Sequence, residues 1–198
     1  KLYLKQYQQE TNLDLVVLLD CSGSMGYTSL TNQPAGWTND WTKWNHGSCV
    51  AAAMANLALR QQDRVSLTLF ADDVVSGSRL SNAQNHWKTI AQLLHRGERV
   101  KEENDEPVPI DNTHTHTDLE QIVDRTVARL TRRSLVVLIS DLFDDPEHLE
   151  KGLARLHHRH HDVIILHVME PAELDFDFCD PSEVVGLAGE GQLPPEPA

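Results

Sequence analysis

Residues 13–24 read L-D-L-V-V-L-L-D-C-S-G-S, a short apolar run that ends at Asp20 and leads directly into two serines. Short, continuous apolar runs rich in β-branched residues are typical of strands buried on both faces of a parallel sheet. A second run of this kind, S-L-V-V-L-I-S at residues 134–140, ends at Asp141. We therefore predict two buried parallel strands, each followed by an aspartate.

The segments around these two runs alternate between strand and helix patterns. Further strands are predicted at 64–70, from Val74, and at 163–168, and helices at 47–61, 83–95, 118–131 and from Pro146. This alternation predicts an α/β fold, a Rossmann-like, doubly wound, mainly parallel sheet covered by helices on both faces. In such sheets ligands bind beyond the carboxyl ends of the strands, where the strand order reverses.

The length of 198 residues suits one domain, which we place at residues 1–176. Residues 177–198 are acidic and proline-rich, and predict a weakly ordered tail. The net charge of −13 disfavours nucleic-acid binding. The spacing of Cys21, Cys49 and Cys179 matches no disulfide framework, and we see no membrane-spanning run or signal peptide, so we expect a cytoplasmic protein.

Asp20, Ser22 and Ser24 are the strongest candidate site in the sequence. Residues two apart project to the same side of an extended chain, so one carboxylate and two hydroxyls converge at the end of the strand. These hard oxygen ligands suit Mg²⁺, Mn²⁺ or Ca²⁺ better than zinc. Two neutral hydroxyls leave the charge of the ion incompletely neutralised, so we expect the ion to accept a further carboxylate from an Asp or Glu of a protein partner.

Two more residues are candidates for the same site. Asp141 faces the same crevice as Asp20 if their strands are neighbours, and a cation would remove the repulsion between the two carboxylates. Thr117 lies at the start of a predicted helix, where its hydroxyl could turn towards the ion. Thr117 and Glu120 also match a capping box, T-x-x-E, and the two roles are compatible.

D-C-S-G-S resembles the DxSxS signature of the metal-ion-dependent adhesion site (MIDAS) of von Willebrand factor A-type (vWA) domains. The resemblance implies that a threonine and an aspartate from later loops complete the site, and Thr117 and Asp141 stand at the matching positions. The resemblance also implies that the metal binds protein partners and does no catalysis.

The chain is most similar to a bacterial vWA group designated domain of unknown function fifty-eight. The similar stretches are L-Y-L-K-Q-Y-Q-Q-E-T-N-L before the first strand, T-D-L at 117–119, residues 132–145 and residues 161–174. The resemblance implies the strand order 3-2-1-4-5-6 and a functional link to MoxR-type AAA+ ATPases in chaperone-like or complex-assembly work. The usual Gly-Gly before T-D-L is replaced here by Thr115-His116.

We therefore predict a protein-binding module and no enzyme. The alternative is a metal-assisted hydrolase or phosphoryl-transfer enzyme with Asp20 as nucleophile. Haloacid-type phosphatases need a second aspartate two residues on, where this chain has Ser22. A third hypothesis, an RNA-associated vWA protein, is opposed by the acidic charge.

Three other features have structural interpretations. We assign Asp144 and Asp145 to capping the helix that starts at Pro146. The histidine-rich segment 157–161 is expected to be a solvated helix end and not a metal site. Trp37, Trp41 and Trp44 follow helical spacing, and either pack their long loop onto the domain or form an aromatic patch for a partner.

Overall fold

The computed structural model describes residues 13–28, 41–71, 73–103, 119–144 and 146–175. Five strands and five α-helices alternate through these ranges, with a 3₁₀ turn at Gly23–Gly26. The strands are β1 (Asp14–Asp20), β2 (Arg64–Phe70), β3 (Val74–Gly77), β4 (Leu135–Ser140) and β5 (Asp162–His167). The helices are α1 (Lys43–Arg60), α2 (His86–Glu103), α3 (Leu119–Val127), α4 (Pro146–His158) and α5 (Pro171–Asp175).

The strands form one sheet in the order β3-β2-β1-β4-β5. All neighbours are parallel except β2 and β3, which are antiparallel. The chain builds outwards from β1 to β3 on one side and then returns to place β4 on the other side. The order therefore reverses between β1 and β4, as expected for a doubly wound α/β sheet. The order implied by the resemblance, 3-2-1-4-5-6, is matched by these five strands in its first five positions, and residues 176–198 lie outside the described residues.

Every residue of β1 is buried, because helices cover the sheet on both faces. Leu15, Val17 and Leu19 belong to a core with residues of α1 and α2, whereas Val16 and Leu18 belong to a second core with α3 and α4. Successive side chains of a strand point to opposite faces, so a strand in this position needs apolar residues throughout. The predicted fold class is confirmed.

The boundaries of two helices differ from the prediction. α1 begins at Lys43 and not near residue 47, because the Thr42 hydroxyl accepts a hydrogen bond from Asn45 N at 3.3 Å and caps the helix earlier. α2 continues through Glu103, into a segment predicted as loop. The charged residues of this segment favour helix, and charge alone does not end a helix.

The first turn of α2 buries a histidine and exposes a tryptophan. His86 is buried, with its Nε2 2.9 Å from Val65 O, whereas the neighbouring Trp87 is 39% exposed. The short helix α5 was missed, because its acidic composition resembled the tail that follows. Residues 177–198 lie outside the described residues. No helix in the described ranges is both long and apolar enough to cross a membrane.

Only the end of the tryptophan-rich segment lies among the described residues. Trp44 is in the first turn of α1 and is fully buried against α2, so this tryptophan packs the start of α1 onto the core. Trp41 is exposed, and Trp37 lies outside the described residues. The packing is tight at Gly97 on α2, where an added Cβ would lie 2.4 Å from Trp44 Cη2. α2 therefore depends on a glycine at this position to approach the indole.

Gly97→Ala should lower the free energy of unfolding by about 1–3 kcal/mol, because the new methyl group overlaps the Trp44 ring. Gly152→Ala on α4 is the matched control, since its Cβ would meet Leu119 O at an ordinary 3.4 Å. That control should be neutral or stabilising by about 0.5–1 kcal/mol. Urea denaturation of both variants measures the difference, and equal stabilities would contradict this account of the α1–α2 contact.

Candidate metal centre

Asp20 and Asp141 lie at the carboxyl ends of adjacent parallel strands. Leu19 pairs with Ile139, so the residues that follow, Asp20 and Ser140, are neighbours at the edge of the sheet. The Ser140 hydroxyl donates a hydrogen bond of 2.6 Å to Asp20 Oδ2. The structure therefore brings the two strand ends together at the point where the strand order reverses.

The loop after β1 folds its serines back towards Asp20. Ser22 N donates to Asp20 Oδ1 at 2.8 Å, and the hydroxyls of Ser22 and Ser24 are 3.0 Å apart. Two hydrogen bonds fix this conformation, because Cys21 N and Cys21 Sγ both donate to Phe70 O, at 2.8 and 3.1 Å. The side chain of Met25, which is fully buried, anchors the loop further. One carboxylate and two hydroxyls thus form a compact set of oxygens.

Asp141 has a partner that the sequence did not predict. Lys43 Nζ lies 2.8 Å from Asp141 Oδ2 and 2.7 Å from Glu173 Oε1. The side chains of Lys43 and Asp141 are only 4% and 5% exposed. Lys43 lies in a segment that the sequence predicts as loop, and Glu173 lies next to the predicted tail. The one signal was a lysine directly after Thr42, at the start of an apolar helix.

Burial dominates the electrostatics of Asp20. It raises the pKa of this carboxyl to about 6, although hydrogen bonds from Ser140 and Ser22 lower it, and the negative charge of Asp141 raises it further. Burial would lower the pKa of Lys43, but the hydrogen bonds to Asp141 and Glu173 outweigh burial and raise it. Lys43 is therefore charged at neutral pH. The hydrogen bonds to Asp20 do not fully offset its burial, so its carboxyl keeps a proton up to a higher pH than an ordinary aspartate does.

Thr117 lies outside the described residues, but the residue two positions later is fixed near the site. Leu119 N, at the start of α3, donates to Asp144 Oδ2 at 3.2 Å. The cap that Asp144 was predicted to provide for α4 stays a prediction. Its Oδ1 lies 3.8 Å from His148 Nδ1 in the first turn of α4, and its Oδ2 caps the first turn of α3, which packs against α4. Asp145 lies outside the described residues. The start of α3 therefore sits beside the loop that follows Asp141.

The oxygens of Asp20, Ser22 and Ser24 fit a hard divalent cation, which prefers carboxylate and hydroxyl oxygen. Within the described residues, no group of three or more His, Cys, Asp or Glu side chains could hold a metal ion. His157, His158 and His160 are exposed. His161 is buried and its Nδ1 accepts a hydrogen bond of 3.2 Å from Ser134 N, a structural role.

Two solved structures with a similar fold come from species of Bacteroides. Conserved hypothetical protein BatB from Bacteroides thetaiotaomicron aligns with a TM-score of 0.53 at 10% identity, over 77% of this chain and 65% of that one. An aerotolerance-related membrane protein from Bacteroides fragilis, carrying multiple mutations to serine, aligns with a TM-score of 0.56 at 14% identity, over 79% of this chain and 67% of that one. At these identities the likeness shows the fold alone.

A comparison with curated proteins finds no match to this chain. The family model described as "Protein of unknown function DUF58" matches residues 1–189. Because the match covers nearly all of the 198 residues, the chain belongs to the DUF58 family.

Proposed function

We propose that this chain is a non-catalytic protein-binding module of the vWA type whose MIDAS holds one divalent cation, with Mg²⁺ as the first choice and Mn²⁺ or Ca²⁺ as alternatives. Asp20, Ser22 and Ser24 would hold the ion directly, and Thr117 and Asp141 directly or through water. The observation that carries the proposal is the buried Asp20 carboxylate beside two serine hydroxyls that are 3.0 Å apart.

The electrostatics of Asp20 favour a cation at this place. A pKa near 6 in the folded protein, against 3.8 for an ordinary aspartate, means that ionised Asp20 costs roughly 3 kcal/mol of folding free energy at neutral pH. The hydroxyls of Ser22 and Ser24 are neutral, and the hydrogen bonds that Asp20 accepts from Ser22 and Ser140 offset only part of this cost. A bound divalent cation would remove the penalty.

Binding is favoured over catalysis because Asp20 is not poised as a nucleophile. Its carboxylate is buried and both oxygens are engaged, Oδ1 by Ser22 N and Oδ2 by the Ser140 hydroxyl. An ion held by one carboxylate and two hydroxyls would keep net positive charge. An Asp or Glu of a protein partner is the natural ligand for its open position.

The surface beside the centre suits a protein partner. Lys43 forms part of the lining of a cleft of about 540 Å³ that also carries the exposed side chains of Trp41, Ile165 and Met169. Exposed aromatic and aliphatic residues next to a charged centre are typical of protein-binding surfaces. The family resemblance leads us to propose a MoxR-type AAA+ ATPase as the functional partner, in the cytoplasm, where the free thiol of Cys49 would stay reduced.

Mg²⁺ should bind the wild-type chain and raise its melting temperature. At a hundred times the dissociation constant the ion adds roughly 2.7 kcal/mol of stability, which is a shift of about 5–10 °C for a domain of this size. Calorimetry and thermal denaturation should show no such effect for Asp20→Ala. Asp63→Ala is the matched control, because Asp63 is a buried aspartate outside the centre, bonded to Leu13 N.

The control variant should bind Mg²⁺ as the wild type does. Equal heats for wild type and Asp20→Ala, or a melting temperature that saturating Mg²⁺ leaves unchanged, would remove the metal claim. Turnover of a generic phosphate ester that Asp20→Ala abolishes would replace the binding module with the enzyme alternative.

In chelator, Asp20→Asn should be more stable than wild type above pH 6, by up to roughly 3 kcal/mol. The folded pKa of Asp20 lies above the unfolded value, so wild-type stability falls as the pH rises from about 4 to above 6. Below pH 4 the carboxyl is protonated in both states and the gain should vanish. Denaturation curves across this range test the sign, and a constant difference at all pH values would contradict the account.

A further inference from the structure

Lys43 lies at this centre, and the proposed binding of a metal ion assigns no role to its ammonium group. Its ammonium makes two short contacts, 2.8 Å to Asp141 Oδ2 and 2.7 Å to Glu173 Oε1. The three residues come from α1, from the end of β4 and from α5. Burying an ammonium group is costly unless carboxylates compensate it, so its position at the candidate metal centre calls for an explanation beyond stability.

The position of Lys43 is fixed by its surroundings. Lys43 N donates to Tyr27 O at 3.3 Å, and Nζ lies 5.8 Å from the centre of the Tyr27 ring. Tyr27 follows directly on the 3₁₀ turn that contains Ser24. The lysine is therefore tied at one end to the loop that carries the candidate ligands and at the other end to Asp141.

We propose that Lys43 is the resident cation of this centre, and that its ammonium competes with the divalent ion for Asp141 and so sets the affinity of the ion. This inference rests on the proposed function. While Lys43 holds Asp141, that carboxylate is neutralised without a metal. A divalent ion that uses Asp141, directly or through water, would share this carboxylate with the ammonium or take it over, and in both cases the two positive charges oppose each other.

Glu173 makes this exchange possible. It is 34% exposed and contacts the same ammonium, so Lys43 keeps one carboxylate partner when Asp141 turns to the ion. Glu173 Oε2 also accepts a hydrogen bond from Glu170 N at 2.8 Å, which holds the side chain at the start of α5. The charge of Glu173 therefore favours the divalent ion indirectly, by compensating the released lysine.

Competition by Lys43 and compensation by Glu173 predict that substitutions of these two residues change the Mg²⁺ affinity in opposite directions. Calorimetry on the whole chain measures both effects. Lys43→Met removes the competing charge and keeps an apolar side chain of similar length, so binding should become about tenfold tighter. Glu173→Gln removes the second partner of Lys43 and strengthens its hold on Asp141, so binding should become several-fold weaker. A merely structural role for the lysine would weaken binding in both variants.

Charge-matched controls come from α4, where exposed Lys151 and Glu147 form an ion pair of 3.5 Å. Lys151→Met and Glu147→Gln change the net charge of the chain by the same amounts and should leave the affinity within about twofold. Thermal denaturation adds a second readout, because the melting temperature of Lys43→Met should depend more strongly on Mg²⁺ than that of the wild type.

The outcomes separate the two proposals. If the wild type binds Mg²⁺ while Lys43→Met and Glu173→Gln stay within twofold of it, or if both variants bind more weakly, the competition is refuted and the metal site stands. If neither wild type nor Lys43→Met binds Mg²⁺, the proposed function itself fails. If Lys43→Met does not fold even with Mg²⁺, the sign of the Glu173→Gln effect decides.

Discussion

The pairing of β1 with β4 is the constraint on which the candidate metal centre depends. These strands lie far apart in the sequence, and their parallel register places Ser140 beside Asp20, where the serine hydroxyl donates to the carboxylate at 2.6 Å. A shift of one residue would carry Ser140 out of reach and move Asp141 relative to Asp20. The oxygens therefore converge because the core of the sheet fixes where both strands end.

The two aspartates of the centre have different electrostatic surroundings. Asp20 is held by donors that carry no full charge, and burial pushes its pKa to about 6. Asp141 is held by the ammonium of Lys43. The fold thus compensates the charge of Asp141 with an ammonium, whereas the contacts of Asp20 are hydrogen bonds from a hydroxyl and a backbone N–H.

The sequence was sufficient to predict the sheet and the position of Asp20, Ser22, Ser24 and Asp141 at its edge, because continuous apolar runs and strand-end polar residues are local signals. It was not sufficient to predict Lys43 and Glu173. Their contact joins three segments that are distant in the chain, and no periodicity marks a buried lysine. The same holds for the bond that Asp144 accepts from Leu119 N, because these residues are distant in the sequence and adjacent only in space.

The central claim is that Asp20, Ser22 and Ser24 share one divalent cation, and anomalous diffraction from crystals grown with Mn²⁺ tests it most directly. The account predicts one strong anomalous peak about 2.0–2.6 Å from oxygens of all three side chains. An empty map at the ends of β1 and β4, or a peak held instead by the histidines of residues 157–161, would contradict it.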